Sequence, residues 1–272
     1  MRRLPTRRVA TIAVLMLGGA AGATATSVPP ARARAGDPGG AAPAAVGRAR
    51  RDRALTHFVR LRQPVFCGGG RRREIALTFD DGPGPASDAL VATLRRHRVR
   101  ATFFLVGRQV QAFPVQARLE ASTNALGDHT WSHPYLTALP RRQIRSQIGD
   151  ARAEIQRATH RRVRLFRPPY GRRSAAVDAT AHRDRLVEVL WSLDSLDYRG
   201  LGWRALAARI LGGVRPGSIV LMHENHPQTL PALRHVLPRL RRRGFRLVTV
   251  PQLLADDPPS RTRLRRPYGG CG

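Results

Sequence analysis

Short apolar runs alternate with longer amphipathic segments through most of this 272-residue chain. Apolar runs of strand length predict strands at residues 74–79, 101–107, 186–193, 217–223 and 245–250, with shorter candidates at 124–126 and 164–166. Apolar residues at helical spacing predict helices at 87–99, 141–159, 203–214 and 230–244, and a further helical stretch that ends at Glu120. Repeated alternation of strands and helices predicts a parallel α/β sheet or barrel.

The pattern divides the chain into four parts. Residues 1–25 combine a basic start, a short apolar run and small residues, which predicts a cleaved signal peptide rather than a retained anchor. Residues 26–66, rich in Ala, Arg and Pro, predict a flexible linker that could end in a short helix or strand. Residues 67–256 form the folded domain, and residues 257–272 a polar tail with Cys271.

The two cysteines fit an exported protein. Cys67 precedes the first strand and Cys271 is next to last, so a disulfide could tie the two ends of the domain together; two unpaired thiols are the alternative. We expect a secreted or cell-wall-associated protein without a stable membrane span after cleavage. Nothing in the sequence indicates a coiled coil, so a monomer is expected.

Charge adds one alternative. The net charge is +30, and the 48 basic residues are all arginines. Such an excess is found in proteins that bind nucleic acid or an anionic surface. The arginines are scattered, however, and Ala, Gly and Pro are also abundant, so codon usage in a GC-rich genome is the favoured explanation of the bias. We therefore expect no nucleic-acid partner.

Polar residues follow several of the predicted strands. Asp80 and Asp81 end the first one, and Arg167, Asp194 and His223 end others. Reactive groups of α/β folds gather at these strand ends. The pair Asp80-Asp81 is followed directly by Gly-Pro-Gly-Pro, which turns the chain sharply and leaves the carboxylates uncrowded.

His129 and His133 are spaced so that both imidazoles can bind one cation. Alone, this spacing is typical of two exposed histidines. Together with an Asp-Asp pair, it predicts a three-ligand metal site of the hydrolytic zinc type, in which one aspartate binds the metal and the other acts as a base toward water.

Five segments in order resemble the motifs of the polysaccharide deacetylases, carbohydrate esterase family 4, also called the NodB homology domain. They are TFDDGP (78–83), HTWSH (129–133), RPPYG (167–171), WSLDSLD (191–197) and LMH (221–223). The resemblance covers about Cys67 to Leu254. It implies a distorted (β/α)7 barrel and metal-dependent removal of acetyl groups from sugars.

The resemblance also implies a role for each matched residue. The metal ligands are Asp81, His129 and His133. Asp80 is the general base, held by Arg167. His223 is the general acid, paired with Asp194, which fits the matched motif; Asp197 is the competing candidate for that pairing. Tyr170 lends its backbone N–H to the oxyanion, and Trp191 and Leu221 line the pocket for the acetyl methyl. Tyr198 replaces the usual tryptophan, and STNAL (122–126) replaces the Gly-His-Glu often found before the second motif.

We therefore expect an enzyme that removes N-acetyl groups from an amino-sugar polymer by metal-activated water. Peptidoglycan is the first candidate substrate and a chitin-like chain the second. Zinc is the expected ion, although cobalt and other divalent ions suit the same ligands. The sequence leaves two alternatives open: a related metal-dependent amide hydrolase acting on a small molecule, and a non-enzymatic polyanion-binding protein.

Overall fold

A computed structural model describes residues 43–265, in which parallel strands alternate with helices. The strands are β1 Glu74–Asp80, β2 Thr102–Leu105, β3 Ala125–Asp128, β4 Leu165–Phe166, β5 Val187–Glu188, β6 Leu193–Asp194, β7 Ile219–His223 and β8 Arg246–Val248. The helices are α1 Pro43–Leu61, α2 Ser87–Arg96, α3 Gly107–Ala112, α4 Pro114–Ala121, α5 Arg141–Thr159, α6 Ala175–Arg183, α7 Trp203–Gly213, α8 Thr229–Arg242, α9 Val250–Asp256 and α10 Arg261–Leu264.

The eight strands form one curled sheet of parallel neighbours in the order β5-β4-β3-β2-β1-β7-β6, and β8 pairs with the first half of β1. β1 is central: Asp80 lies opposite Phe104 of β2 and His223 of β7. The predicted distorted barrel is confirmed. Because every strand runs in the same direction, the carboxyl ends of β1, β3, β4 and β7 meet at one edge of the sheet.

β1 is buried along its whole length, and its two faces have different roles. Ile75, Leu77 and Phe79 pack into the core between the sheet and the surrounding helices. Ala76 points the other way, into a cluster inside the curl of the sheet. Because side chains alternate along a strand, Asp80 lies on the inner face with Ala76.

A segment ahead of β1 bridges the two ends of the sheet. Val65 forms a parallel bridge with Val189, just after β5, and Cys67 forms an antiparallel bridge with Ser218, just before β7. Both Val65 and Cys67 are buried. The segment therefore closes part of the seam that the short outer strands leave open.

The predicted flexible linker is wrong for residues 43–52, which are helical, whereas the short helix that the sequence allowed at the end of the linker is present as the rest of α1. Residues 43–61 form α1, and its Leu55 and Phe58 are buried in the inner cluster with Val65 and residues of α9. The helix forms because these apolar side chains lie on one side of an otherwise arginine-rich segment. Such a segment is ordered when a few of its apolar side chains pack against the core, whatever its mean composition.

The start of the predicted polar tail is also packed. Asp257 is buried; its carboxylate accepts from the Arg72 backbone N–H at 2.9 Å and pairs with Arg71 at 2.9 Å. Leu264 of α10 is buried in the inner cluster. The domain thus extends beyond residue 256.

Other boundaries differ in detail from the prediction. The expected strand at 186–193 is two short strands, β5 and β6, separated by four residues that turn along the seam. The helical stretch that ends near Glu120 is two helices, since Pro114 begins α4. The signal peptide, residues 26–42 and Cys271 lie outside the described residues, so cleavage and the Cys67–Cys271 pairing stay predictions. None of the helices within residues 43–265 is both long and apolar enough to span a membrane.

Candidate active site

The strand ends bring together the residues that the sequence placed apart. Asp80 ends β1, His129 follows β3, Arg167 follows β4 and His223 ends β7. The strand register sets Asp80 beside His223 and aligns Asp128 with Phe166, so that His129 and Arg167 leave the sheet at the same level. All four therefore lie at its carboxyl edge.

Asp80 and Arg167 form a buried ion pair. The Arg167 guanidinium donates to Asp80 Oδ1 at 2.7 Å, and the two side chains are 0% and 3% exposed. Burial raises the pKa of Asp80 above its ordinary value, and the charge of Arg167 opposes this shift. One oxygen is thus held, and the other, Oδ2, faces His129 Nε2 at 3.5 Å.

Each side-chain nitrogen of Arg167 has a described partner. It donates to Thr78 Oγ1 at 2.8 Å and to the carbonyls of Val189 at 3.0 Å and Leu190 at 3.1 Å. Its guanidinium carbon lies 4.1 Å from the centre of the Phe104 ring. These contacts fix the plane of the guanidinium, so the direction in which it presents its N–H to Asp80 is also fixed.

Asp81, His129 and His133 form the metal-ligand type of cluster that the sequence predicted. Asp81 Oδ1 lies 3.6 Å from His129 Nε2 and 3.3 Å from His133 Nε2. One ligand atom from each residue lies within 4.8 Å of the others. The three residues can thus bind one cation through one oxygen and two nitrogens.

The chemistry of these atoms fits a cation. His129 Nδ1 is 2.7 Å from the Arg167 carbonyl, which can only accept, so the proton sits on Nδ1 and Nε2 has the lone pair. Burial lowers the pKa of His129 to about 3, so the ring is neutral. Asp81 Oδ1 is buried without a hydrogen-bond partner among the described residues. Lone pairs facing a carboxylate oxygen repel it unless a cation lies between them.

His223 pairs with Asp197, not with Asp194. Its Nδ1 lies 2.7 Å from Asp197 Oδ1, and its backbone N–H donates to Asp197 Oδ2 at 2.7 Å. The Thr229 hydroxyl donates to the same oxygen at 2.8 Å. Burial lowers the pKa of His223, but the hydrogen bond and charge of Asp197 outweigh it and raise the pKa to about 9. The imidazole is therefore protonated at neutral pH.

Asp194, three residues earlier in the chain than Asp197, has other partners. The expected pairing of His223 with Asp194 is therefore wrong. It accepts from the Leu196 backbone N–H at 2.8 Å and from the Tyr198 hydroxyl at 3.0 Å. Leu196 has a left-handed backbone (φ 61°), which turns the chain so that Asp197 reaches back to β7. Nothing in the spacing of two aspartates distinguishes them, so only this turn decides.

The three residues expected to contact substrate lie near this centre. Tyr170 is half exposed, and its hydroxyl is 3.2 Å from His133 Nδ1. Trp191 lies with its ring 5.6 Å from the Arg167 guanidinium carbon. Leu221 is buried on β7, two residues before His223 and on the same face of the strand.

The loops that present these groups have unusual backbones. Asp81, Thr130, His133 and Tyr170 all have positive φ, between 60° and 73°. Non-glycine residues adopt this region at a cost of about 1 kcal/mol or more, and they concentrate at functional sites. At Asp81 the left-handed turn separates the directions of two consecutive carboxylates, so that Asp80 meets Arg167 and Asp81 meets the histidines.

A buried acidic pair under the site was not found from the sequence. Glu120 is fully buried, and neither of its carboxylate oxygens has a hydrogen-bond partner among the described residues. Glu224 follows His223 and accepts from the Ser87 hydroxyl at 2.6 Å. Burial raises the pKa of Glu224 to about 7 and that of Glu120 well above its ordinary value.

Gly82 makes room for this pair. A Cβ at this position would overlap the Glu224 carboxylate. The first glycine after the two aspartates is thus required by close packing, in addition to its freedom in the turn. Glycine there lets the Asp81 loop lie directly on the buried glutamates.

A parallel barrel with an Asp-His-His cluster, a buried aspartate and a protonated imidazole at its carboxyl edge has the features of the metal-dependent hydrolases. Residues 68–187 match the family model described as "Polysaccharide deacetylase". Together with the relatives below, this match shows that the chain belongs to the polysaccharide deacetylase family.

Two curated relatives carry different names. The chain is 33% identical to a peptidoglycan-N-acetylglucosamine deacetylase of Bacillus cereus over 70% of this chain and 71% of that protein. It is 36% identical to a chitooligosaccharide deacetylase of Azorhizobium caulinodans over 65% of this chain and 92% of that protein.

Solved structures agree with the fold. A Bc1960 peptidoglycan N-acetylglucosamine deacetylase matches with a TM-score of 0.68 and 31% identity, over 70% of this chain and 91% of that chain. BA3943 of Bacillus anthracis, described as a family pseudoenzyme, also matches with a TM-score of 0.68, with 28% identity over 72% and 69%. Because the same fold includes a pseudoenzyme, the fold alone does not indicate activity, which has to be inferred from the site residues.

Proposed function

We propose that this protein removes N-acetyl groups from an extracellular amino-sugar polymer, with Asp80 as the base and His223 as the acid. The observation that carries the proposal is the convergence of His129 and His133 on the unpartnered Asp81 Oδ1, beside an Arg167-held Asp80. A buried base, an acid and a cation site within one cluster are what amide hydrolysis requires.

Asp81, His129 and His133 would hold the cation, and zinc suits one oxygen and two nitrogens best. A divalent ion bound there supplies a Lewis acid that polarises the acetyl carbonyl and makes water more acidic. The tautomer of His129 is set by the Arg167 carbonyl, so its Nε2 is always available to the ion. Arg167 thereby contacts both the base and a ligand.

Asp80 takes a proton from the attacking water at Oδ2. Its other oxygen is occupied by the Arg167 N–H, so Oδ2 is the oxygen that faces the cluster. Burial makes Asp80 a stronger base than an exposed aspartate, because water no longer stabilises its charge. Arg167 limits this effect and keeps the carboxylate ionised for the reaction.

His223 gives a proton to the departing amine from Nε2. Its Nδ1 is bound by Asp197, which leaves Nε2–H as the atom that can donate. With a pKa of about 9, the ring enters each turnover protonated at neutral pH. An amine cannot leave as an anion, so this proton completes the cleavage.

Tyr170, Trp191 and Leu221 complete the substrate contacts in this proposal. The left-handed backbone at Tyr170 is consistent with an N–H aimed at the developing oxyanion. Leu221, on the inner face of β7 below His223, and Trp191, beside Arg167, would contact the acetyl methyl.

Peptidoglycan is the first substrate we propose, and a chitin-like chain the second. The relatives named for these two substrates are similar to this chain at 33% and 36% identity, so the choice rests on location. An export signal at residues 1–25 would place the enzyme at the cell wall. Secretion, a monomeric state and the Cys67–Cys271 disulfide belong to the same proposal.

The test compares two variants by zinc binding and by acetate release. In chelator-treated protein titrated with zinc by calorimetry, Asp80→Asn should bind zinc within about threefold of the wild type, because Asp80 is not a ligand. His129→Ala should lose zinc binding. Acetate release from N-acetylglucosamine oligomers and from peptidoglycan should fall by about 10³-fold or more in both variants.

The control is His57→Ala, which removes an exposed imidazole of α1 far along the chain from the cluster. It should keep both zinc binding and turnover. Full activity of Asp80→Asn, or of His129→Ala in the presence of chelator, would show that the cluster does not perform the reaction.

A further inference from the structure

A second cleft lies at the opposite edge of the sheet from the candidate active site. Its volume is about 420 Å³, and its wall includes Asn124 and Arg164, which directly precede β3 and β4, and Arg100, two residues before β2. Since these positions mark the amino ends of the strands, the cleft is separated from Asp80 and the histidines by the length of the sheet. The deacetylase chemistry makes no use of it.

Arginines dominate this cleft. Six contribute to its wall: Arg48, Arg51, Arg100, Arg161, Arg162 and Arg164. They come from three places in the chain, namely α1, the start of β2 and the loop between α5 and β4. A fold that brings three separate basic segments to one concavity concentrates charge beyond what a scattered composition supplies. We refer to these six residues as the arginine cleft.

Their charges are not neutralised by the protein. Asp52 is the one carboxylate among the cleft residues, and no salt bridge joins any of the six arginines to a described carboxylate. Arg164 instead donates to the Thr56 hydroxyl at 3.1 Å and to the Asp52 carbonyl at 3.3 Å. Its Nε is buried without a partner among the described residues.

Electrostatics point the same way. Burial lowers the pKa of Arg164, and the neighbouring charge of Arg162 lowers it further, while the carboxylate of Asp52 opposes both effects. The cluster is therefore self-repelling, and a bound anion would relieve the repulsion. Thr123, Asn124 and Gln252 supply neutral hydrogen-bonding groups between the arginines.

We propose that the arginine cleft binds a linear polyanion that carries phosphate groups and so holds the protein on that polymer. Guanidinium groups match phosphate oxygens with two parallel N–H bonds, and closely spaced phosphates along one polymer can pair with several arginines of the cleft at once. The site is concave, so an extended chain can enter it, whereas a flat lipid surface cannot reach its floor. The catalytic edge stays exposed to a second polymer.

The test measures the binding of linear inorganic polyphosphate to the full chain across a range of salt concentrations. Arg100, Arg161 and Arg162 are exposed, so the triple variant R100Q/R161Q/R162Q should fold. The matched control is R234Q/R241Q/R242Q, which removes three exposed arginines of α8 and lowers the net charge equally. Circular dichroism and acetate release from a soluble oligosaccharide report that both variants are folded and active.

We expect the cleft variant to bind polyphosphate at least tenfold more weakly than the α8 variant at the same salt concentration. The slope of log affinity against log salt concentration should be less steep by about two in the cleft variant. Fewer phosphate contacts form in that variant, so fewer counterions are released on binding.

Three results would overturn the proposal. Equal loss in both triple variants would mean that net charge alone drives the binding. Equal affinity for polyglutamate would remove the preference for phosphate. Binding of anionic phospholipid vesicles that depends on the cleft as strongly as polyphosphate binding would assign the surface to a membrane instead. Because acetate release is measured in the same samples, failure of the deacetylase proposal would be recognised separately.

Discussion

Asp197 holds His223 at two points: the carboxylate bonds both the ring Nδ1 and the backbone N–H of the histidine, each at 2.7 Å. A two-point contact fixes the ring orientation as well as its charge. Burial raises the pKa of Asp197, but the hydrogen bonds and charge of His223, with the hydrogen bond from Thr229, together outweigh it, so the pKa is lowered. The pair is thus ionised on both sides at neutral pH.

This pairing predicts the alkaline limit of activity. His223 has to be protonated to act as the acid, so kcat/KM should fall as pH rises through about 9. Asp197→Asn removes the charge that raises this pKa, and the alkaline limb should therefore move toward the ordinary histidine value of 6.5. The measurement is the pH profile of kcat/KM with a soluble oligosaccharide.

Asp194→Asn is the matched control, because Asp194 bonds Tyr198 and the Leu196 backbone rather than His223. Its alkaline limb should stay in place. A shift in Asp194→Asn with no shift in Asp197→Asn would restore the pairing expected from the sequence.

The buried ion pair predicts a strongly non-additive effect on stability. Arg167→Met leaves the Asp80 charge buried without its partner, which should lower the free energy of unfolding by about 3–5 kcal/mol. The double variant R167M/D80N removes the stranded charge as well, so it should be more stable than R167M alone by about 1 kcal/mol or more. Urea unfolding in the presence of chelator measures both.

Arg157→Met serves as the comparison for this pair. Arg157 is largely exposed and pairs with Glu154 on the same helix. Exposed pairs contribute about 0.2–1 kcal/mol, so little change is expected. If Arg167→Met cost no more than Arg157→Met, the buried pair would have no structural role.

The buried glutamates predict a pH dependence of stability. Both have pKa values raised by burial, so the folded chain holds protons that the unfolded chain releases. The free energy of unfolding should therefore fall as pH rises from about 4.5 through about 7, the value for Glu224. Asp80, Asp81 and Asp88 face the pair and add to this effect.

Glu120→Gln replaces the proton-holding carboxyl by an amide that donates permanently. The slope of stability against pH in that window should become shallower, by up to about 1.4 kcal/mol per pH unit. Urea unfolding with chelator present, from pH 4.5 to 8, measures the slope. Asp150→Asn, an exposed change on α5, should not alter it; equal slopes in wild type and Glu120→Gln would mean that Glu120 holds no extra proton.

The packing of α1 predicts that the segment before residue 67 contributes to stability. Phe58 is 2% exposed and belongs to the inner cluster, so Phe58→Ala should cost about 3–5 kcal/mol. Val46 of the same helix is 52% exposed, and Val46→Ala should change stability by less than about 0.5 kcal/mol. Thermal and urea unfolding would separate the two variants, whereas equal small effects would fit the flexible linker predicted from the sequence.

Much of the site was predictable because its groups are tied to strand ends. Asp80 and Asp81 follow a seven-residue buried strand, and parallel strands place their carboxyl ends at one edge whatever their order. His129 and His133 are close in the chain, so their joint position depends on one loop. For these residues, the position at a strand end or in one short loop is enough to predict which side chains lie close together.

Long-range contacts decided the rest. Asp197 pairs with His223 because of a left-handed turn at Leu196 and the position of β7. Glu120 and Glu224 meet across 104 residues of chain, and neither has a motif. The linker prediction failed for α1 because composition reports on average polarity, while order depends on whether a few apolar side chains find a core.

By itself, the sequence determined the alternation of strands and helices, the family and the two histidines and two aspartates at the centre. Each of these depends on residues that are near one another in the chain or at the end of the same kind of element. Only the tertiary structure decided which aspartate holds the acid, what lies beneath the Asp81 loop and where the arginines gather. Those choices depend on packing between distant segments, where a shift of one turn exchanges one partner for another.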